Sequence, residues 1–432
     1  MVGFDFAASA TVVTLDNKFS RIKRSHMSNA EVSLNSIRDA RNRTAGSVYF
    51  SPCPLSPSVS EMSGQPVYLK LENLQRTGSF KERGALNKIL TLNAHDKERG
   101  VIAASAGNHA QGVAFHAQAN RIAAKIVMPV MTPLVKVNAT KGYGAHVVLH
   151  GEGYDEAYEH ARSLAESEHL TFIHPFDDPA VISGQGTIGL ELLEQVPDLE
   201  AVVVPIGGGG LISGIACALK ESKPSVRVVG VQAARMPSML EALKSHQPTV
   251  IPSNPTIADG IAVRRSGDRT VQLVEKYVDD VVVVEEEEIA SGILTLLERE
   301  KMLAEGAGAA AVAALLHRKA RLKNKKTVAL VCGGNIDVTL LSRIIQRGLV
   351  KDARLVRLQI HLSDRPGSLH QLTKIIAAHH ANIVELQFDR AYYGVSLGDT
   401  LIDVTLETRG KDQIQRILEA LAEAGYRHER VL

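Results

Sequence analysis

Four segments of the chain combine residue types that could do chemistry, each beside a turn from strand to helix. The first reads Thr77-Gly78-Ser79-Phe80-Lys81-Glu82-Arg83-Gly84-Ala85. Lys81 sits where a loop becomes a helix, with the aromatic Phe80 before it. A lysine amine can form a Schiff base with a carbonyl group and must be partly desolvated to act as a base. Alone the signal is weak, because most lysines are surface charges. The second segment, Ser105-Ala106-Gly107-Asn108-His109-Ala110-Gln111-Gly112, follows an apolar run and opens a helix. Helix N-terminal amides with Ser and Asn side chains make a carboxylate cradle, although the same residues also serve an ordinary capped turn.

The third segment runs from Val202 to Gly214 and contains Gly207, Gly208, Gly209 and Gly210 in succession, followed by Leu211. Backbone amides there can close around a phosphate because no side chain blocks the approach. It is not a nucleotide P-loop, since no Gly-Lys-Ser/Thr follows. It also fails as a dinucleotide fingerprint. Ser213 stands at the third glycine position, and the next strand ends at Gln232 rather than an acid. A monophosphate is the better ligand. The fourth segment, Val331-Cys332-Gly333-Gly334-Asn335, lies at a strand C-terminus, where open α/β sheets place ligands. By composition alone, Cys332 reads as a small buried hydrophobe.

These segments need elements to hold them. Apolar runs at 67–71, 101–104, 125–129, 146–149, 201–206, 226–231 and 328–331 alternate with helical patterns, including one at 84–92. Such alternation indicates βαβ units and parallel sheets. Four acids, Glu285 to Glu288, precede an amphipathic run at 289–303 and complement its helix dipole. Residues 304–316 are Ala/Gly-rich and suit a buried helix. Beyond about 351 the style changes to strand 355–362, helix 366–379, strands 383–388 and 401–406, helix 412–424 and strand 427–432. This βαββαβ order describes a separate ferredoxin-like module at 354–432.

The chain has 432 residues, enough for about three packing units. Net charge is +2, which argues against a nucleic-acid partner, and 45% apolar residues rule out wholesale disorder. The uncharged apolar stretch at 201–219 contains Pro205 and the tetraglycine, so no membrane span is expected. Cys53, Cys217 and Cys332 are widely spaced with no CxxC pair, which points to a reducing, cytoplasmic compartment and to no metal site. Residues 1–27 read as a tag or an unstructured extension, with Ser25-His26-Met27 resembling a cloning scar.

Together and in this order, the four segments resemble the threonine dehydratases, which are fold type II pyridoxal-phosphate enzymes. The likeness spans the catalytic domain at 28–350, and the C-terminal module looks like an ACT domain. The resemblance implies an α/β catalytic domain of two open parallel-sheet subdomains, the smaller inserted at about 95–178. It implies pyridoxal 5'-phosphate held by Lys81, with Phe80 packed nearby and Asn108 bonded to the ring hydroxyl. Gly207, Gly208, Gly209, Gly210 and Leu211 would wrap the phosphate, and Cys332 would face the pyridine nitrogen. Ser105, Asn108 and His109 would receive the substrate carboxylate. The implied reaction is dehydration and deamination of L-threonine to 2-oxobutanoate, and of L-serine to pyruvate.

Departures narrow the reading. Serine racemases of the family carry an acid–base Ser where this chain has Ala106, and their metal carboxylates fall at Gln232 and Ser238. Racemisation and that metal site are therefore not expected. A racemase, another hydroxy-amino-acid lyase and a non-catalytic amino-acid sensor stand as the alternatives. In the ACT-like part, Asp364 to Leu369, with Pro366, Gly367 and Ser368, resemble the family's strand-to-helix loop, and Asn382 follows the helix; binding of an amino acid there and pure dimerisation with no ligand both stand open. Isoleucine or valine would be the effector of a biosynthetic role, and a homodimer or homotetramer the assembly.

Overall fold

The computed structural model describes residues 13–14, 31–389 and 398–431. They fall into two units, Met1–Asp337 and Val338–Leu432. Two parallel sheets organise the first. Its strands in chain order are β1 (Val13–Thr14), β2 (Val67–Leu71), β3 (Val101–Ala104), β4 (Ala124–Met128), β5 (His146–Leu149), β6 (Thr171–Phe172), β7 (Ala201–Pro205), β8 (Arg227–Ala233), β9 (Asp280–Val284) and β10 (Thr327–Val331). The larger sheet has the order β1-β9-β8-β7-β10-β2 and the smaller β5-β4-β3-β6. All pairs are parallel except β1 with β9.

Burial explains the strand composition. Every residue of β7 and β10 is buried, so both faces are apolar and no alternation appears. β9 and the two-residue β6 have no counterpart among the expected strands. The valines of β9 are flanked by Asp279 and Asp280 before and four glutamates after, which hides the run. Within 1–27, Val13–Thr14 pair with Val281 and Asp280, and the rest of that stretch lies outside the described residues.

Helices differ from expectation mainly at their ends. The first catalytic helix is Lys81–Leu90, so Lys81 is its first residue. The acidic run enters the helix Glu286–Glu298, where Glu285 and Glu288 form a reciprocal cap, and a loop from Arg299 to Glu305 follows instead of more helix. The buried Ala/Gly-rich helix is Gly306–Leu316. A long helix, Pro179–Gln195, escapes the sequence reading. Asp178 caps it through the N–H groups of Ala180 and Val181, and Pro179 takes its first turn.

The second unit opens with the helix Val338–Lys351, which the sequence reading assigns to the catalytic domain. The βαββαβ order then appears as expected: β11 (Leu355–Ser363), helix Ser368–Ala378, β12 (Asn382–Asp389), β13 (Asp399–Glu407), helix Lys411–Glu423 and β14 (His428–Val431). Its sheet, β12-β13-β11-β14, is antiparallel throughout. β11 and β13 alternate inward and outward side chains, and the inward set packs on Leu372, Ile376, Ile417 and Leu421. Helix Ser368–Ala378 begins after Pro366, because Gly367 adopts φ +91° before it.

Candidate active site

Three of the singled-out segments follow the C-terminal ends of β3, β7 and β10. These ends border one cleft of about 1130 Å³, which takes in Phe80, Lys81, Ser105, Asn108, His109, Gly207 to Gly210, Leu211 and Cys332. Residues far apart in sequence are thereby brought to one wall, at the position where parallel sheets leave backbone groups free.

Lys81 lies on the cleft floor. Its Nζ donates to Pro175 O at 2.9 Å and sits 5.3 Å from the centre of the Phe80 ring. Burial pulls the ammonium down to about 8, against the opposing pull of Cys332 and Glu305. An amine so placed is neutral far more often than a surface lysine. The loop before it is fastened to the fourth segment: Phe80 N donates to Cys332 O at 3.1 Å and Gly334 N to Gly78 O at 2.9 Å. Cys332 is buried, and burial pushes its thiol well above the ordinary value, so it is uncharged.

Gly209 holds φ +98° at the start of helix Gly210–Ser222, a conformation that disfavours any side chain. A Cβ there would come within 2.6 Å of Met239 and 2.7 Å of Thr270. One at Gly208 would overlap the Phe176 ring, and one at Gly210 would lie 2.5 Å from Phe176 O. Thr270 Oγ1 donates to Gly208 O at 2.6 Å, fixing the loop. The first N–H groups of the helix have no carbonyl one turn back and point outward. The result is a cradle of main-chain donors that only glycine can form.

Asn108 begins the helix Asn108–Ala119. Its Nδ2 donates to Glu305 Oε1 at 2.7 Å, and its Oδ1 accepts from Asn335 Nδ2 at 2.7 Å. Glu305 is 4% exposed, and burial together with Asp259 raises its carboxyl to about 7. His109 Nε2 lies 2.9 Å from Ile173 O, which can only accept, so Nε2 carries the proton. Burial drops His109 to about 3 and keeps the ring neutral. With the ring committed to Ile173, His109 offers the cleft its main-chain N–H. Ser105 Oγ accepts from Gly107 N at 3.1 Å and steadies the same turn.

Sequence reasoning missed several residues here. Glu305 is one: an isolated acid heading an Ala/Gly-rich buried helix was the available signal. The segment from His174 to Asp177 is another. His174 Nδ1 accepts from Phe176 N and Asp177 N, and Asp177 accepts from the N–H groups of Asp268, Arg269 and Thr270. Asp177 thereby caps helix Asp268–Tyr277, whose Thr270 braces the glycine loop. Pro366, Gly367, Ser368 and Asn382 belong to the second unit, where Asn382 Nδ2 donates to Glu407 at 3.4 Å.

Residues 46–333 match the model of the pyridoxal-phosphate dependent enzymes, and residues 351–424 match the ACT domain. The chain belongs to the pyridoxal-phosphate dependent enzyme family. It is 48% identical to the L-threonine ammonia-lyase of Thermotoga maritima over 395 residues, 91% of this chain and 98% of that one. Among solved structures it is similar to the processed threonine deaminase isoform 2 of Solanum lycopersicum, with TM-score 0.69 and 35% identity over 78% of this chain and 98% of that one. Maize serine racemase superposes with TM-score 0.70 at 35% identity, covering 74% of this chain and 98% of that one. The cleft fits the family's cofactor. The desolvated Lys81 amine suits its aldehyde, and the cradle that a Cβ would fill suits its phosphate. The chain is a pyridoxal-phosphate dependent lyase with a C-terminal ACT domain. Among the described residues no group of three or more His, Cys, Asp or Glu side chains could hold a metal ion.

Proposed function

We propose that the protein is an ammonia-lyase for L-threonine, giving 2-oxobutanoate and ammonia, and that it also converts L-serine to pyruvate. The observation that carries this is the convergence of Lys81, Asn108, the glycine cradle and a neutral Cys332 in one cleft of a chain so similar to a threonine ammonia-lyase. Pyridoxal phosphate, when bound, supplies the electron sink that makes the substrate's α-hydrogen acidic. Lys81 Nζ would hold the cofactor, and the same amine would take the substrate's α-proton. The N–H groups at the start of helix Asn108–Ala119 receive the substrate carboxylate. Cys332 adds no charge in its corner of the cleft. Loss of the β-hydroxyl as water and later hydrolysis cancel, so threonine becomes 2-oxobutanoate plus ammonia with no net water.

The racemase alternative finds little support. Ala106 lines the cleft with a methyl group that cannot hold a proton, and Ala106→Ser is the change that would admit racemisation. The ACT domain is read as an amino-acid sensor, isoleucine or valine meeting Pro366, Gly367, Ser368 and Asn382, with the N-terminus of helix Ser368–Ala378 for the carboxylate. A homodimer or homotetramer is supported by the exposed Tyr49, Phe50, Leu55 and Leu74, apolar side chains on or near the segment that covers the outer edge of β2. A cytoplasmic site agrees with three free thiols. No helix among the described residues is long and apolar enough to cross a membrane.

The test is turnover of cofactor-loaded protein with L-threonine, following 2-oxobutanoate with and without isoleucine. Product that isoleucine suppresses supports both the lyase and the sensor. Product indifferent to isoleucine and valine removes the effector assignment. No product from either hydroxy-amino acid overturns the lyase reading.

A further inference from the structure

Asn335 closes the fourth segment, and no role follows for it from the chemistry above. Its Nδ2 donates to two acceptors at once, Thr77 O at 2.8 Å and Asn108 Oδ1 at 2.7 Å. Thr77 begins the segment that carries Lys81, so one amide nitrogen joins three of the four segments. The direction of this chain of hydrogen bonds is forced. A backbone carbonyl can only accept, so Asn335 must turn its NH2 toward Thr77. The second N–H of that group then meets Asn108 Oδ1. This obliges Asn108 to present its own NH2 on the other side, where Glu305 Oε1 accepts one hydrogen at 2.7 Å. The remaining N–H of Asn108 is left for the cleft.

Space for the arrangement is made by Gly78, which has φ +73°. A Cβ at that position would stand 2.5 Å from Asn335 Oδ1. The same loop is stitched to the Asn335 segment by the Ser79–Gly333 bridge, so Asn335 has little freedom to turn.

We propose that Asn335 is a positioning residue that sets which way the Asn108 amide faces, so that an N–H rather than an oxygen is offered to the ring hydroxyl of pyridoxal phosphate. The inference rests on the cofactor site described above and adds a residue to it. An Asn108 turned the other way would set its NH2 against the NH2 of Asn335 and its oxygen against the cofactor oxygen, donor facing donor and acceptor facing acceptor.

The experiment compares Asn335→Asp and Asn335→Ala with the wild type, by titrating apoprotein with pyridoxal phosphate and recording the absorbance of the bound cofactor. Asp has the shape of Asn but no N–H to give. Both variants are expected to bind the cofactor about tenfold more weakly and to shift its visible band, with Asp at least as damaging as Ala. In an Asn108→Ala background the further loss from Asn335→Ala is expected to vanish. An Asp variant equal to wild type in affinity and spectrum would overturn the inference, since space-filling alone would then explain Asn335. So would an Asn335→Ala effect undiminished in the Asn108→Ala background, and this second comparison decides alone if the Asp chain does not fold. A wild type that binds no pyridoxal phosphate would overturn the cofactor site itself, and is thereby told apart from failure at Asn335.

Discussion

Glu82 Oε1 and His116 Nε2 face each other at 3.9 Å in the packing between the first two catalytic helices, and neither atom has a hydrogen-bond partner. The other carboxylate oxygen, Oε2, accepts from Thr77 N at 2.9 Å and from Thr77 Oγ1 at 3.1 Å. Burial raises the Glu82 carboxyl, helped by Glu72 and opposed by Thr77 and Arg76. The buried orphan pair costs stability. Glu82→Gln keeps an oxygen for Thr77 and turns an N–H toward His116. It is expected to stabilise the protein by about 1 kcal/mol, read from urea unfolding near neutral pH, and a less stable variant would contradict this account.

Acid should unfold the protein through its buried histidines. Burial lowers His109 to about 3, and His116 and His174 to about 4, from an ordinary 6.5. The unfolded chain therefore binds more protons than the folded one over this window. Stability is full above 6.5 and falls as pH drops toward 4 and 3. Urea midpoints measured from pH 7 to pH 4 should decline, and His116→Gln should make the decline shallower.

Glu305 gives the opposite slope. Its folded value of about 7 lies above the ordinary 4.5. The stability it contributes is full below 4.5 and is lost as pH rises through 7. Glu305→Gln removes this opposing slope, so its stability should decline more steeply than the wild type's as pH drops from 7 to 4.5, the difference amounting to roughly 3 kcal/mol at most.

Cofactor capture should report Lys81. Only the neutral amine attacks an aldehyde. With Lys81 at about 8, the rate of reconstitution of apoprotein with pyridoxal phosphate should climb from pH 6 and level off above about 8. A rate still climbing at pH 10 would mean that Lys81 is solvated like a surface lysine.

Beneath the site, Arg83 bonds Glu72 through Nε at 2.7 Å and Glu191 through Nη1 at 2.6 Å, while Lys70 bonds Glu191 at 2.5 Å. These side chains are almost wholly buried. Arg83→Ala leaves buried carboxylates short of a counter-charge and should cost about 3–5 kcal/mol. Arg83→Lys should rescue little, since one ammonium cannot replace the planar fork. Chemical denaturation of the three proteins settles the order.

Much of the site was legible because its chemistry depends on local sequence. Lys81 at a helix start and four consecutive glycines after an apolar strand are neighbours along the chain, and a main-chain cradle needs only that neighbourhood. The βαββαβ module was legible for the same reason, since alternation in β11 and β13 is a period of two. Glu305, Asn335, Asp177 and Phe176 were not read as parts of the site. Each acts on a partner tens to hundreds of positions away, as Asn335 does on Thr77 and Asn108. Strand order decided that these side chains meet, because β10 lies between β7 and β2 and brings the fourth segment beside the first and third. The tertiary structure also decided charge. Burial makes Lys81 a weaker base, Cys332 a neutral thiol and Glu305 a carboxyl that titrates near neutrality. Residue types name the groups, and only the packing around them sets how much water each one keeps.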